Sequence, residues 1–130
     1  MPLETLQIRE EPVPLAVVMV RQGATTLTDQ RLTKSCEVTR ARWGIFGFSV
    51  HELPPGGFEE LARRSPILRE RRRVLVADAA DLLRDGFPLL PTGTFPHWTV
   101  VLSEPSQEQF SRVRGHFAEQ ANPSYERSGR

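Results

Sequence analysis

Cysteine is nearly missing from this chain: Cys36 is the only thiol in 130 residues. That excludes an internal disulfide and any zinc site built on several cysteines. Lysine is just as scarce, and Lys34 is the only one among 17 basic side chains. Arginine suits bidentate contacts to phosphate or carboxylate, but a high-GC coding bias produces the same enrichment, so it assigns no function by itself. There is no glycine-rich loop of the P-loop or dinucleotide type, and no Gly-x-Ser-x-Gly elbow. Long apolar runs are absent too. The longest, LAVVMV over residues 15–20, is far short of the ~20 residues that span a bilayer. The net charge of +1 gives no global attraction to nucleic acid or to an anionic membrane. His51, His97 and His116 lack paired metal-ligand spacing, so neither a metal nor a cofactor is expected. The first twelve residues carry four charged side chains and two prolines, which is no signal peptide, and cytoplasmic location is the expectation.

What is present is an ordinary globular composition, 38% apolar and 25% charged, with two Trp and seven Phe available for a core. The length suits one domain. Residues 1–14 are rich in Pro and Glu and form a flexible lead-in. Residues 15–117 are the globular unit, and residues 118–130, being polar, form a flexible tail.

Within the unit, the apolar run 15–20 has no polar face and predicts a buried central strand. Thr26 and Asp29 are spaced like a helix start. A helix over residues 27–42 follows, with Leu27, Leu32, Cys36 and Val38 on its apolar side. Residues 45–50 predict a second strand, and Pro54-Pro55-Gly56-Gly57 a turn. Phe58, Leu61 and Ala62 predict a helix that Pro66 breaks. Residues 74–77 are a third strand. Asp78 caps a short helix with Leu82 and Leu83, closed by Gly86. A short strand over residues 87–90, a rigid loop through Pro91, Gly93 and Pro96, and a strand over 98–102 come next. Ser106 and Gln109 form a capping box, and Phe110, Val113 and Phe117 form the stripe of the last helix. His116 falls opposite that stripe and is expected in solvent. This order predicts an α+β fold, a single small domain with a central sheet of about four to five strands and about three to four helices packed on it.

The most informative segment is Pro96-His97-Trp98-Thr99-Val100-Val101-Leu102. A histidine and a hydroxyl two residues apart on a strand project to one face, where both can meet one phosphate. The segment resembles the His-x-Thr-hydrophobic signature of the two-histidine phosphoesterases, which process RNA ends and cyclic phosphates. Those enzymes carry two such motifs in a pseudo-symmetric fold. The second candidate here is Ser49-Val50-His51, in which the hydroxyl precedes the histidine. The resemblance implies catalytic roles for His97, Thr99 and His51: His97 as general acid or base, Thr99 binding phosphate, His51 as the second proton-transfer group. The run Arg69, Arg71, Arg72 and Arg73 is the candidate phosphate-binding rim. RNA and a cognate inhibitor protein are the partners this reading expects, and no membrane is among them.

Two other classes compete. Arg21 at the end of the first strand and Ser49 inside the second resemble ADP-ribosyltransferase-like folds, which implies an NAD-using toxin. The third reading is a non-enzymatic interaction module, with the arginine rim and the Pro-rich loop 88–96 as its contact surface.

Overall fold

In a computed structural model of the chain, residues 18–21 (backbone alone), 28–104 and 106–126 are described. The strands are β1 (Val18–Arg21), β2 (Gly47–Glu52), β3 (Arg73–Asp78), β4 (Leu89–Leu90), β5 (His97–Val101) and β6 (Ala118–Ala121). The helices are α1 (Asp29–Trp43), α2 (Gly57–Arg64), α3 (Ala79–Arg84) and α4 (Gln107–Arg114), and a 3-10 helix spans Pro66–Glu70. The strands form one sheet in the order β4-β5-β2-β1-β3-β6, and every pairing is antiparallel. This is an α+β domain, with one strand more than the sequence suggested. Among the described residues no helix is long and apolar enough to cross a membrane.

β1 lies inside the sheet between β2 and β3, where an apolar, β-branched run belongs. Residues 15–17 of that run, and the lead-in 1–14, are outside the described residues. The extra strand is β6. Residues 118–121 were expected in a frayed tail, because Ala-Glu-Gln-Ala has no apolar alternation. Backbone pairing with β3 forms the strand instead, and the following residues anchor it. Asn122 is buried and donates through Nδ2 to the carbonyls of Leu68 and Arg71, each at 2.7 Å. Its Oδ1 accepts from Ser124 N at 2.9 Å.

Side-chain alternation divides the sheet into two faces. Phe48 and Val50 of β2, Trp98 and Val100 of β5, and Leu75 and Ala77 of β3 point into the main core, with Leu82, Phe87, Phe110 and Val113. Each such large side chain contributes about 1.5–3 kcal/mol by leaving water. The Trp98 indole N–H is satisfied by Glu52 Oε1 at 3.0 Å. The expected stripe of α4 docks there through Phe110 and Val113, while Phe117, expected on the same helix, lies past its end at Arg114 and packs against Phe48. A smaller cluster of Leu61, Ala62, Leu68 and Val74 holds α2 and the 3-10 helix.

Local signals fix the helix starts. Thr28 Oγ1 accepts from Arg31 N at 3.2 Å, so Thr28 is the cap, and Thr26 is outside the described residues. Ser106 Oγ accepts from Gln109 N at 3.2 Å as the capping box predicts. Asp78 precedes α3 but makes no side-chain cap bond. The buried stripe of α1 is Leu32, Cys36, Thr39 and Trp43, at i, i+4, i+7 and i+11. Val38, expected on that stripe, is 58% exposed. Trp43 outweighs it because an indole at the end of the helix buries far more area.

Candidate functional site

The register of β2 against β5 builds the site. His51 lies directly opposite His97, Val50 opposite Trp98, and Ser49 opposite Thr99. Paired residues in an antiparallel ladder share a face, so both histidines and both hydroxyls project together, away from the Trp98 side. The imidazole centroids are 5.3 Å apart with the rings edge to face. β4 extends the same sheet past β5 and leads into the loop carrying Thr92 and Gly93. A cis peptide joins Phe95 to Pro96 just before His97.

His97 is held at both nitrogens. Nδ1 lies 3.0 Å from the main-chain carbonyl of Thr92 and 3.0 Å from Thr92 Oγ1. Nε2 lies 2.9 Å from Ser49 Oγ. A carbonyl only accepts, so the bond to Thr92 O assigns the proton to Nδ1. Nε2 then accepts from the Ser49 hydroxyl. The ring of Trp43 packs on His97 with centroids 4.9 Å apart, and its Nε1 meets no hydrogen-bond partner among the described residues. Gly93 closes the same corner at φ 66°. A Cβ there would stand 3.5 Å from the Trp43 ring and 3.8 Å from His97 Nδ1.

Not every expected site residue serves. Thr99 is completely buried, and its hydroxyl is 2.7 Å from that of Thr92, which is equally buried. A hydroxyl spent there cannot bind a substrate phosphate. Ser49, half-buried, is the hydroxyl that the histidines present.

The arginine rim is also elsewhere. His97, His51, Val20 and Val76 form one row across four adjacent strands, and Arg73 is three residues along β3 from that row. Strand spacing near 4.8 Å and a rise near 3.3 Å put its backbone on the order of 14 Å from that of His51, and farther from His97. The run is engaged by the C-terminal segment: Arg73 with Glu119 at 2.6 Å, Arg69 with Glu126 at 3.6 Å, and Arg72 over Tyr125. Arg71 is exposed. Of the alternative pair Arg21 and Ser49, Arg21 pairs through its backbone with Leu75 of β3, and its side chain is outside the described residues.

Two other arginines, outside the expected rim, lie over aromatic rings next to the site. The Arg42 guanidinium lies 4.8 Å from the Trp43 ring centroid, and that of Arg64 lies 5.0 Å from the Phe95 centroid. Arg64 also meets Glu60, Nε to Oε2 at 3.0 Å. The Gly56 N–H, and after it Arg64, hold the Glu60 carboxyl below the usual carboxylate range. Trp43 and Thr92 were likewise missed, since nothing in their spacing to His97 signals contact.

His116, expected in solvent, is partly buried. Its Nε2 lies 2.7 Å from Asp85 Oδ2 and its ring lies edge-on to Phe87. That bond, with Arg112 behind it, holds the Asp85 carboxyl below its ordinary range. Among the described residues no group of three or more His, Cys, Asp or Glu side chains is placed to hold a metal ion. No protein-family model, curated protein or solved structure matches the chain.

Proposed function

We propose that this chain is a phosphodiester-directed enzyme acting on RNA through histidine acid–base chemistry, with His97 and His51 as the proton-transfer pair. The observation that carries this reading is the 5.3 Å separation of the two imidazoles on one sheet face. Two imidazoles side by side on one face can take a proton from the attacking hydroxyl and give one to the leaving oxygen of a phosphodiester set over them. RNA brings its own nucleophile in the 2′-hydroxyl. His97 Nε2, the unprotonated nitrogen, takes the 2′-hydroxyl proton as the new P–O bond forms. His51 delivers a proton to the departing 5′-oxygen as the old bond breaks, leaving a cyclic phosphate. Ser49 turns its hydroxyl from Nε2 to a phosphate oxygen when substrate enters. Arg42 and Arg64 supply positive charge at the rim. A cognate inhibitor protein is the partner this reading proposes.

The test is cleavage of single-stranded RNA by the purified chain in EDTA. His97→Ala and His51→Ala each lower the rate by ~10²-fold or more, the usual scale for losing a general acid or base. Absence of turnover in the wild type, or rates unchanged in both variants, overturns the proposal.

A further inference from the structure

We infer that Ser49 is a nucleophile activated by His97, and that this site runs an acyl-enzyme cycle on small carboxylic esters. The inference goes beyond RNA cleavage, because it uses the serine hydroxyl where the two-histidine reading uses the 2′-hydroxyl of the substrate.

A serine becomes a nucleophile when a neighbouring base accepts its proton and a third group fixes that base. All three are present in line. Ser49 Oγ lies 2.9 Å from His97 Nε2, and His97 Nδ1 lies 3.0 Å from the Thr92 carbonyl. That carbonyl assigns the tautomer in which Nε2 carries the lone pair and accepts from the Ser49 hydroxyl. Thr92 is itself fixed, since its buried hydroxyl meets the buried Thr99 hydroxyl at 2.7 Å. Ser49 is equally constrained, sitting on β2 between the completely buried side chains of Phe48 and Val50. The groups therefore rest on paired strands, and little ordering remains to be done when substrate binds.

The surroundings set the substrate size. The Trp43 ring covers one side of His97 at 4.9 Å, and the His51 ring stands at 5.3 Å. Gly93 closes the third side, where even a Cβ would stand 3.5 Å from the Trp43 ring. Rings this close on two sides of His97 argue for an acyl group of a few carbons over a long chain or a peptide.

The step balances without an added reagent. Ser49 Oγ bonds to the ester carbonyl carbon while its proton passes to His97 Nε2. The C–O bond to the alcohol breaks, and the alcohol leaves with that proton. Water then attacks the acyl-serine carbonyl, gives its proton to Nε2, and the Ser49 oxygen recovers it as the acid departs.

A fluorophosphonate probe tests this directly. The Oγ–P bond forms, the P–F bond breaks, fluoride leaves, and the serine proton goes through His97 to solvent. Intact-mass measurement of the full chain should show one adduct, and peptide mapping should place it on Ser49. Ser49→Ala should abolish labelling, and His97→Ala should slow it by ~10²-fold or more. Hydrolysis of p-nitrophenyl acetate should fall in parallel. No adduct under conditions that label a reference serine hydrolase to completion, or an adduct mapped to another residue, overturns the inference. Mapping on the wild type decides the matter even if His97→Ala fails to fold. The RNA assay on wild type and His51→Ala reports on the two-histidine reading separately, because His51 takes no part in the labelling of Ser49.

Discussion

His51 and His97 face each other directly in the β2–β5 ladder, and this opposition follows from the reversed order of their two motifs. One strand reads hydroxyl-x-His and the other His-x-hydroxyl. Run antiparallel, those orders place histidine against histidine and Ser49 against Thr99. Two copies of the same order would instead have set each histidine opposite a hydroxyl. The Ser49–His97 bond is then the diagonal contact of two neighbouring pairs, and its 2.9 Å length matches the reach of these side chains across a ladder.

The buried hydroxyl pair beneath the site gives the first prediction. Thr92→Val removes one partner and leaves the Thr99 hydroxyl, fully buried, without its 2.7 Å contact. Urea unfolding should show a loss of about 1–3 kcal/mol. In Thr92→Val/Thr99→Val no orphaned hydroxyl remains, so the double variant should lose less than the sum of the singles. Strictly additive losses would mean that the two hydroxyls are not coupled.

Gly47 gives the second. A Cβ there would stand 2.0 Å from the Val100 carbonyl oxygen and 3.0 Å from Thr99 Cγ2. The obstacle is backbone, which cannot rotate away, so β2 must separate from β5 next to Ser49. Gly47→Ala should cost about 3 kcal/mol or more, or abolish soluble expression, by the scale of severe overpacking. It should also slow labelling of Ser49. A melting temperature equal to the wild type would show that the strands tolerate the separation.

Much of this fold was visible in the sequence because apolar periodicity reports burial. Phe48 and Val50 alternate with Ser49 and His51, and Trp98 and Val100 alternate with His97 and Thr99, so both strands and their polar faces were legible. Which strand pairs with which, and in what register, was not, because a ladder is made of backbone bonds that all residues supply. β6 was illegible for the same reason. The partners of the arginine run were out of reach as well, since Glu119 stands 46 residues from Arg73. Thr92 carried no signal, since its role rests on its main-chain carbonyl.

The third prediction tests the core under β2. Phe110 is 3% exposed in the main cluster with Val113 beside it. Phe110→Ala should cost on the order of 3 kcal/mol in urea unfolding, combining lost transfer energy with the cavity left behind. A loss under about 1 kcal/mol would place α4 at a weakly packed edge of the sheet.

The fourth concerns acid. The His116 hydrogen bond, at 2.7 Å, is the largest influence that holds the Asp85 carboxyl below its ordinary range, and Arg112 adds to it. A carboxyl whose folded value is depressed stabilises the fold fully above its unfolded value and loses that contribution as the pH falls through the folded one. Asp85→Asn has no such proton to take up. The stability gap between wild type and Asp85→Asn should therefore be widest above the ordinary aspartate range. It should close as the pH drops through the lowered value, with the slope confined to that acid window. The bond ties the loop after α3 to the turn after α4, so salt should shrink the gap without moving the window far. Unfolding curves for the two proteins measured from neutral to strongly acid pH decide the point. A gap that stays constant over that span would show that the Asp85–His116 contact does not favour the charged carboxylate in solution.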